Sequence, residues 1–362
     1  MRICYIAHGS FEHVVPYLNY FRQDKDEVHF ISLTPFALDC VVTVHDVSLG
    51  GIYSVSRGKW KYPISMIRAR RLVRKLKPDI VHTHYVTSGG LTGVVCGFHP
   101  TLTTVHGSDL NSALKSPLWR PLLKVIFNYC DCVNTCNHDQ KRKLITLGVD
   151  PDKIRVVTLG VDTNKFSFAG VRNKTGRVLR AVTTRRLEMI YDHPTLIKAL
   201  AILKSQGMAF QMTFVNTGSL MEKLKRQVEQ LGLTDCVTFL GGVDKSEVVN
   251  ILHQNDIFVS TPIQDGISIA LLEAMAVGLF PIVSDIEVNR DWLQNGRDGF
   301  LHGVGDENSL AQCFKKVIKN PQIMTKAVER NQKKVVERGD TKTNMKTIKE
   351  IYRELVEKYK TF

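Results

Sequence analysis

The sequence lacks three features that would place it in other classes of protein. It has no uninterrupted apolar run of about eighteen residues, the length that a membrane-spanning helix needs. Its first residues, MRICYIAHGSF, predict one short strand rather than a secretory signal peptide. No helix-turn-helix, zinc-finger or RNP-type motif occurs, so we expect no nucleic-acid partner. Eight cysteines without a secretion signal are typical of free thiols, and we expect a cytoplasmic protein.

Side chains that bind metals are present, but their spacing does not match a common metal site. Residues 130–138 contain three cysteines and a histidine in a Cys-x-Cys arrangement, whereas structural zinc sites show two paired half-sites. Residues 150–152, Asp-Pro-Asp, are turn formers between a predicted helix and strand. We therefore expect no essential metal and no cofactor.

Acidic residues are missing from one long segment, residues 47–78, in a chain with a net charge of +14. Residues 57–77 contain nine Lys and Arg side chains interleaved with apolar ones, which predicts a basic loop and an amphipathic helix. Residues 115–127 have a similar mixture. Such surfaces bind anionic membranes with about 1 kcal/mol per basic residue. A solvated helix face is the alternative, and both interpretations stay open.

Strand and helix patterns alternate throughout the chain, which predicts an α/β protein with parallel sheets covered by helices. A chain of 362 residues is long for one domain, so we expect two. The predicted strands are 2–7, 28–32, 80–84, 101–106, 132–136, 155–159, 179–183, 212–216, 237–240, 257–260 and 280–284. A polar stretch at 162–175 marks the boundary.

The most informative segment is 257–285, which reads as strand, glycine-containing loop, apolar helix, glycine stop and strand. Asp265 and Gly266 lie in the loop, Glu273 lies on the helix, and Gly278 ends that helix. The start of a helix presents unpaired N–H groups at the positive end of its dipole. The segment therefore predicts a site for a diphosphate.

This pattern resembles the donor site of the retaining family-4 glycosyltransferases, which have the GT-B fold. Their signature is a carboxylate, a glycine, a second carboxylate eight positions after the first, and then Ala-Met; this chain has Asp265, Gly266, Glu273 and Ala274-Met275. The family usually has Glu where Asp265 stands. Further segments resemble the family in the expected order: 8–11, 78–85, 104–110, 147–166, 184–200, 217–232, 237–248 and 284–301.

The resemblance implies two Rossmann-like domains facing a central cleft. Residues 1–165 would bind the acceptor, and residues 170–343 would bind the nucleotide sugar. The C-terminal helix, residues 344–362, would pack back on the first domain.

The resemblance also assigns the residues of the donor site. Arg186 would bind the diphosphate, with Arg185 as the alternative, because adjacent strand-end residues point in opposite directions. The family's partner lysine falls at Tyr191, so this chain lacks that cation. An ion pair of Arg186 with a nearby carboxylate is the structural alternative. The other implied donor-binding residues are Gly9, Gly218, Val243, Gly266, Ile267, Ser268 and Glu273.

Three of these assignments carry specific roles. The backbone N–H groups of 266–268 would share the diphosphate charge. Glu273 would accept hydrogen bonds from the ribose hydroxyls. Asp265 would hold a hydroxyl of the donor sugar, which makes it a catalytic candidate with Arg186.

On the acceptor side, the resemblance points to His106 as a catalytic residue and to Ser10 and Asp109 as acceptor-side residues. A packed, hydrogen-bonded core histidine is the alternative for His106. Asp109 would orient His106 or the acceptor, or would cap the helix that follows. The strand-end His84 is interpreted as a wall or core residue.

The implied function is transfer of a sugar, with retention, from a nucleoside diphosphate to a lipid-linked, small-molecule or glycan acceptor. Polysaccharide or glycolipid biosynthesis at the inner face of the cell membrane would use such a reaction. No side chain is an evident nucleophile, so attack from the leaving-group side with the diphosphate as base is implied. The alternatives are a nucleotide-sugar epimerase of the same fold and a non-catalytic sugar or nucleotide-sugar binding protein.

Overall fold

A computed structural model describes residues 1–9, 12–35, 42–49, 61–168, 170 and 178–361. The chain forms two compact units. Unit 1 consists of Met1–Leu159 with Thr341–Phe362, and unit 2 consists of Gly160–Asp340. Within the described ranges, no helix is both long enough and apolar enough to cross a membrane.

Unit 1 alternates strands and helices along the chain. Its strands are β1 (Arg2–Ala7), β2 (Glu27–Ser32), β3 (Thr43–Asp46), β4 (Ile80–His84), β5 (Thr101–Val105), β6 (Cys132–Thr135) and β7 (Ile154–Val156). The helices between them are α1 (Val15–Gln23), α2 (Tyr62–Leu76), α3 (Leu91–Cys96), α4 (Ser108–Leu114), α5 (Trp119–Tyr129) and α6 (His138–Thr146).

Unit 2 repeats the alternation. Its strands are β8 (Leu179–Thr183), β9 (Phe210–Val215), β10 (Val237–Gly241), β11 (Ile257–Ser260), β12 (Phe280–Ser284) and β13 (Phe300–His302). Its helices are α7 (His193–Ser205), α8 (Met221–Gln230), α9 (Lys245–His253), α10 (Ile269–Val277), α11 (Glu287–Arg290), α12 (Glu307–Lys319) and α13 (Ile323–Arg338). The last helix of the chain is α14 (Thr341–Lys360).

Both sheets are parallel and doubly wound. The order in unit 1 is β3-β2-β1-β4-β5-β6-β7, and that in unit 2 is β10-β9-β8-β11-β12-β13. Strands β4, β5, β11 and β12 are buried along their whole length, as expected when helices cover both faces of a sheet. The predicted α/β class with parallel sheets is confirmed.

Strands β3 and β13 are absent from the sequence-based prediction. Both lie at a sheet edge, and they are only four and three residues long. A segment this short shows too little of the two-residue period to be recognised.

Helix α14 belongs to unit 1 and is anchored there by polar contacts. The Tyr352 hydroxyl lies 3.0 Å from the Tyr5 hydroxyl and also contacts His82 Nδ1. The Lys349 ammonium pairs with Asp24 and Asp26. The helix begins at Thr341, three residues before the predicted start.

Candidate functional site

A buried ion pair forms in unit 2 where two adjacent strands end. Strands β8 and β11 are neighbours, and the strand order reverses between them, which is where doubly wound sheets bind ligands. Arg185 follows β8, and Asp265 lies in the loop after β11. Arg185 Nη2 is 2.7 Å from Asp265 Oδ2, and these side chains are 9% and 11% exposed. Sequence positions 80 residues apart thus meet at one point.

The aromatic ring of Tyr191 forms a second contact with the same cation. Arg185 Cζ lies 4.1 Å from the centre of the Tyr191 ring, a cation–π distance. The Tyr191 carbonyl accepts a hydrogen bond from the Thr261 hydroxyl at 2.7 Å. The Ile263 N–H bonds the Ile190 carbonyl at 2.9 Å. The turn that contains Tyr191 is therefore tied to the loop that contains Asp265.

Asp265 holds its own loop as well as Arg185. Its Oδ1 accepts the Gly266 N–H at 2.9 Å, and its Oδ2 lies 3.3 Å from the Ser268 hydroxyl oxygen. The single proton of that hydroxyl is donated to Asn289 Oδ1 over the shorter distance of 2.8 Å. The Gly266 N–H was predicted to bind a diphosphate, and in this structure it bonds the neighbouring carboxylate instead.

Arg186, the first choice for the diphosphate, points away from this cluster. Its side chain is 69% exposed and lies 4.0 Å from Glu188, which is the surface ion pair weighed as its structural alternative. The Glu188 carboxylate also accepts hydrogen bonds from Ser219, and these bonds lower its pKa. The geometry therefore favours the alternative, Arg185. The reason is that consecutive residues beyond a strand project to opposite sides.

Helix α10 follows the loop and is closed by Gly278 in the left-handed conformation at φ 90°, as the sequence predicts. Ile267 is half-buried and Ser268 is buried just before its first turn. Glu273 is half-buried on the same helix. These positions place two backbone N–H groups and one carboxylate on the same loop and helix as Asp265.

Gly218 and Val243 lie on loops that follow β9 and β10. A Cβ at Gly218 would stand 2.3 Å from the Leu187 carbonyl oxygen, so only glycine fits this close approach. The Leu187 N–H bonds the Thr217 carbonyl at 3.0 Å. Val243 is half-buried against the unit 2 core. Gly218 thereby supports the segment that contains Arg185.

In unit 1, the predicted glycine loop follows β1. The Gly9 N–H bonds the Thr34 hydroxyl at 2.9 Å, so this N–H has a protein partner. His8 Nε2 lies 2.9 Å from the Tyr62 hydroxyl, and burial lowers the pKa of His8 to about 4. Ser10 lies outside the described residues.

His106 is paired with His84, the histidine at the end of β4. His106 Nε2 lies 3.1 Å from His84 Nδ1, and both rings are buried. Burial is the main cause that lowers the pKa of each well below the ordinary value, so both imidazoles are neutral. The Tyr85 ring stacks on His106 with 4.4 Å between centroids. Tyr85 has φ 65°, a left-handed conformation that is uncommon for residues other than glycine.

Asp109 contacts backbone groups rather than the imidazole. Its carboxylate accepts N–H groups from Val86 at 2.7 Å, Gly107 at 2.9 Å and His106 at 3.1 Å. Desolvation raises its pKa although these bonds oppose the change. The contacts thus differ from the predicted bond to the imidazole, because the carboxylate holds the main chain of Val86, His106 and Gly107.

Two contacts of these clusters were not foreseen from the sequence. His84 was interpreted as a wall or core residue, which its burial matches, but its pairing with His106 was not predicted, and Asn289 was not considered. The signal for the pairing was available, because β4 and β5 are neighbours, β4 ends in His84, and His106 directly follows β5. Asn289 gave no signal, since its contact with Ser268 joins segments that are separated by strand β12.

Two models of known families match the chain. Residues 8–165 match the model described as Glycosyltransferase Family 4, and residues 165–335 match that described as Glycosyl transferases group 1. The two matches share their boundary at residue 165 and together span most of the chain.

Individual relatives agree with the family models. The amylovoran biosynthesis glycosyltransferase AmsK of Erwinia amylovora is 29% identical over 216 residues, which cover 58% of this chain and 53% of that protein. The chain thus spans about half the length of that relative. The UDP-Gal:alpha-D-GlcNAc-diphosphoundecaprenol alpha-1,3-galactosyltransferase of Escherichia coli is 28% identical over 316 residues, covering 81% of this chain and 79% of that protein.

A solved structure provides a comparison of folds. Anabaena Alr3699/HepE, crystallised with UDP, has a TM-score of 0.80 and 17% identity, covering 98% of this chain and 100% of that chain. At this identity the likeness concerns the fold alone. From the two family models and this shared architecture, the chain belongs to the family-4 glycosyltransferases and has their GT-B fold.

Proposed function

We propose that the protein transfers a sugar, with retention of its anomeric configuration, from a nucleoside diphosphate to a glycan or lipid-linked acceptor. The observation that carries this proposal is the buried Arg185–Asp265 pair beside the start of helix α10. A buried guanidinium next to the N-terminus of a helix suits a diphosphate leaving group. The UDP named for HepE and the UDP-sugar named for the Escherichia coli relative support a donor of this class.

In this proposal Arg185 is the cation that meets the growing charge on the leaving diphosphate. Tyr191 and Asp265 fix its guanidinium before the donor arrives, so little reorganisation is needed during the reaction. The N–H groups of Ile267 and Ser268 add uncharged donors. Arg185 thereby supplies a positive charge to the site, whereas Tyr191, which stands where the family has a lysine, supplies none.

Asp265 and Glu273 retain the roles that the resemblance implies. A carboxylate has about four acceptor positions, and Asp265 uses two of them, for Arg185 and Gly266. A remaining position would accept a hydroxyl of the donor sugar. Glu273 would accept the ribose hydroxyls.

The proposed reaction needs no enzyme nucleophile. The bond between the anomeric carbon and the diphosphate oxygen breaks, and the acceptor oxygen bonds to that carbon on the same face. The acceptor proton passes to the departing diphosphate. We propose that His106, held by His84, and the neighbouring Asp109 serve the acceptor side, and that no metal takes part.

We place the reaction at the cytoplasmic surface of a membrane. The Escherichia coli relative is named for an undecaprenol-linked acceptor, which is a membrane lipid. In this chain, the basic segments 57–77 and 115–127 are the candidate contacts. Residues 57–60 lie outside the described part, whereas α2 and α5 present exposed Ile64, Ile67 and Leu118 beside basic residues.

The two neighbouring arginines provide a matched test. Arg185→Gln should lower turnover of labelled UDP-, GDP- or ADP-sugars about a hundredfold, since one preorganised donor to the leaving group is lost. Arg186→Gln should change turnover by less than about threefold, because that side chain lies at the surface. Arg185→Lys, which keeps the charge but loses the planar fork, should fall between them.

Thermal unfolding of each variant shows whether it is folded. A large loss with Arg186→Gln and normal turnover with Arg185→Gln would contradict the assignment. The anomer of the product, read by NMR, tests retention, and turnover in EDTA tests the absence of a metal. Release of an altered sugar nucleotide would indicate an epimerase, and donor binding without turnover would indicate a binding protein.

A further inference from the structure

A basic groove on unit 1 is not used by the proposed chemistry. It has a volume of about 720 Å³ and lies among helices α4, α5 and α6. Arg120 and Lys124 line it from α5, and Arg142 and Lys143 line it from α6. None of its lining residues is acidic, and Leu114 and Leu147 add apolar walls.

Two cations of the groove share one carboxylate. The Lys143 ammonium lies 2.6 Å from Asp139 and 2.9 Å from Asn111, and Arg142 Nη2 lies 3.9 Å from Asp139. Arg120 uses its Nε to bond the Leu114 carbonyl at 3.0 Å, which orients the guanidinium along the groove wall. Lys124 is exposed. The groove thus has a positive potential that favours an anion.

An exposed apolar stripe begins at Leu118, the residue just before α5, and runs along that helix beside these cations. Leu118, Leu122 and Val125 are 80%, 38% and 53% exposed. Their spacing of four and three residues places them on one face of the helix. Arg120 and Lys124, which are four residues apart, form the adjacent face. Aliphatic side chains arranged in this way are costly to leave in water.

The basic groove and the adjacent apolar stripe together favour an amphiphile whose phosphate and hydrocarbon are next to each other. A nucleic acid would satisfy the cations but would leave the aliphatic stripe in water. We propose that the groove binds the phosphate headgroup of an anionic membrane phospholipid, while the stripe of Leu118, Leu122 and Val125 enters the acyl region. This inference rests on the membrane location proposed above and specifies the lipid chemistry and the residues that recognise it.

Flotation of the full-length protein with vesicles tests the inference. Vesicles of phosphatidylcholine with phosphatidylglycerol should bind the protein, and vesicles of phosphatidylcholine alone should not. The double variant Lys124→Gln with Arg142→Gln should bind about thirtyfold more weakly, given the usual contribution of each basic residue near headgroups. Leu118→Ser with Val125→Ser should also lose binding, and this loss should persist at high salt, where charge effects are screened.

The matched control removes the same charge from exposed positions of unit 2, with Lys319→Gln and Lys333→Gln. If this control weakens vesicle binding as much as the groove variant does, the groove is not the site. Binding of inorganic phosphate in the groove without vesicle binding would assign it to a soluble anion and would overturn the lipid proposal.

The test is independent of the donor site. Turnover of donor without vesicles should be unchanged in the Lys124→Gln, Arg142→Gln variant. Normal turnover without any vesicle binding would refute this inference and leave the transfer reaction standing. Loss of donor turnover in the unmodified protein would instead refute the proposed function, whatever the vesicles show.

Discussion

At the scale of single residues, Arg185 shows how one side chain is fixed by two partners. The Asp265 carboxylate and the Tyr191 ring hold its guanidinium from different directions. Removing one partner of a buried pair costs several kcal/mol, about 3–5 in measured cases, because the other charge is left uncompensated. Arg185 and Asp265 therefore contribute to the order of the loop even before a donor binds.

Gly218 leads to a prediction at this scale. Gly218→Ala would push a methyl group against the Leu187 main chain at 2.3 Å, and a backbone atom cannot rotate away. We expect a loss of about 1–3 kcal/mol in unfolding free energy and a smaller donor-induced rise in melting temperature, because Leu187 follows the arginines directly. Thermal shift with and without a sugar nucleotide measures both effects.

Gly242→Ala is the control for that experiment. Its added Cβ would meet only the Thr217 methyl group at 3.6 Å, an ordinary contact. The donor-induced shift should stay near that of the unmodified protein. Equal behaviour of the two variants would show that the close approach at Gly218 does not shape the site.

At the scale of elements, α14 is joined to unit 1 by a buried chain of polar groups. Tyr352 connects Tyr5 to His82, and His82 Nε2 lies 2.7 Å from the Thr104 hydroxyl. All of these side chains are buried, so each polar atom needs a partner within the protein.

Tyr352→Phe should therefore destabilise unit 1. The change leaves His82 and Tyr5 without a shared hydroxyl partner, and the expected cost is about 1–3 kcal/mol. Urea unfolding followed by circular dichroism measures it. Tyr359→Phe, on the same helix but 40% exposed and bonded to Asp131, should cost less than about 0.5 kcal/mol. Similar losses from the two changes would argue against the buried chain as an anchor.

Helix α10 shows how an element can be read from its sequence. Its residues are apolar apart from Glu273, and Gly278 ends it with φ 90°. Both signals lie within the segment itself. The edge strands β3 and β13 are the opposite case, because their few residues become strands only by pairing with β2 and β12.

At the scale of the whole molecule, buried histidines link stability to pH. Burial lowers the pKa of His193 to about 4, and it lowers the pKa of His82, His84 and His106 well below the ordinary value. The folded chain thus resists protonation of groups that the unfolded chain protonates near pH 6.5. The share of the unfolding free energy that depends on these neutral histidines is fully present above about pH 6.5. It is lost as the pH falls towards 4.

His193→Gln tests this linkage. The amide can still donate to the Arg186 carbonyl, which His193 Nε2 contacts at 2.9 Å. We expect the loss of unfolding free energy between pH 7 and pH 5 to shrink by about 2 kcal/mol, the share of one such histidine. Urea unfolding at both values measures the difference. His138→Gln, at an exposed position, should leave the loss unchanged. An unaltered pH dependence in His193→Gln would exclude this histidine as a source.

The sequence by itself determined the fold class, the family and the order of strand, loop and helix around Asp265. These features are local: the strand periods, the glycines that end helices, and the spacing of Asp265, Gly266 and Glu273. They can be read from neighbouring residues, whatever the arrangement of the rest of the chain. Most strand boundaries follow for the same reason.

Only the tertiary structure decided which arginine lies inside, that Asp265 pairs with Arg185, and that His84 contacts His106. Each depends on where a side chain points at or beyond the end of a strand. That direction is set by contacts between loops far apart in the chain, such as those between 184–192 and 261–268. Local preferences do not encode such contacts, because adjacent strands of a parallel sheet come from distant segments.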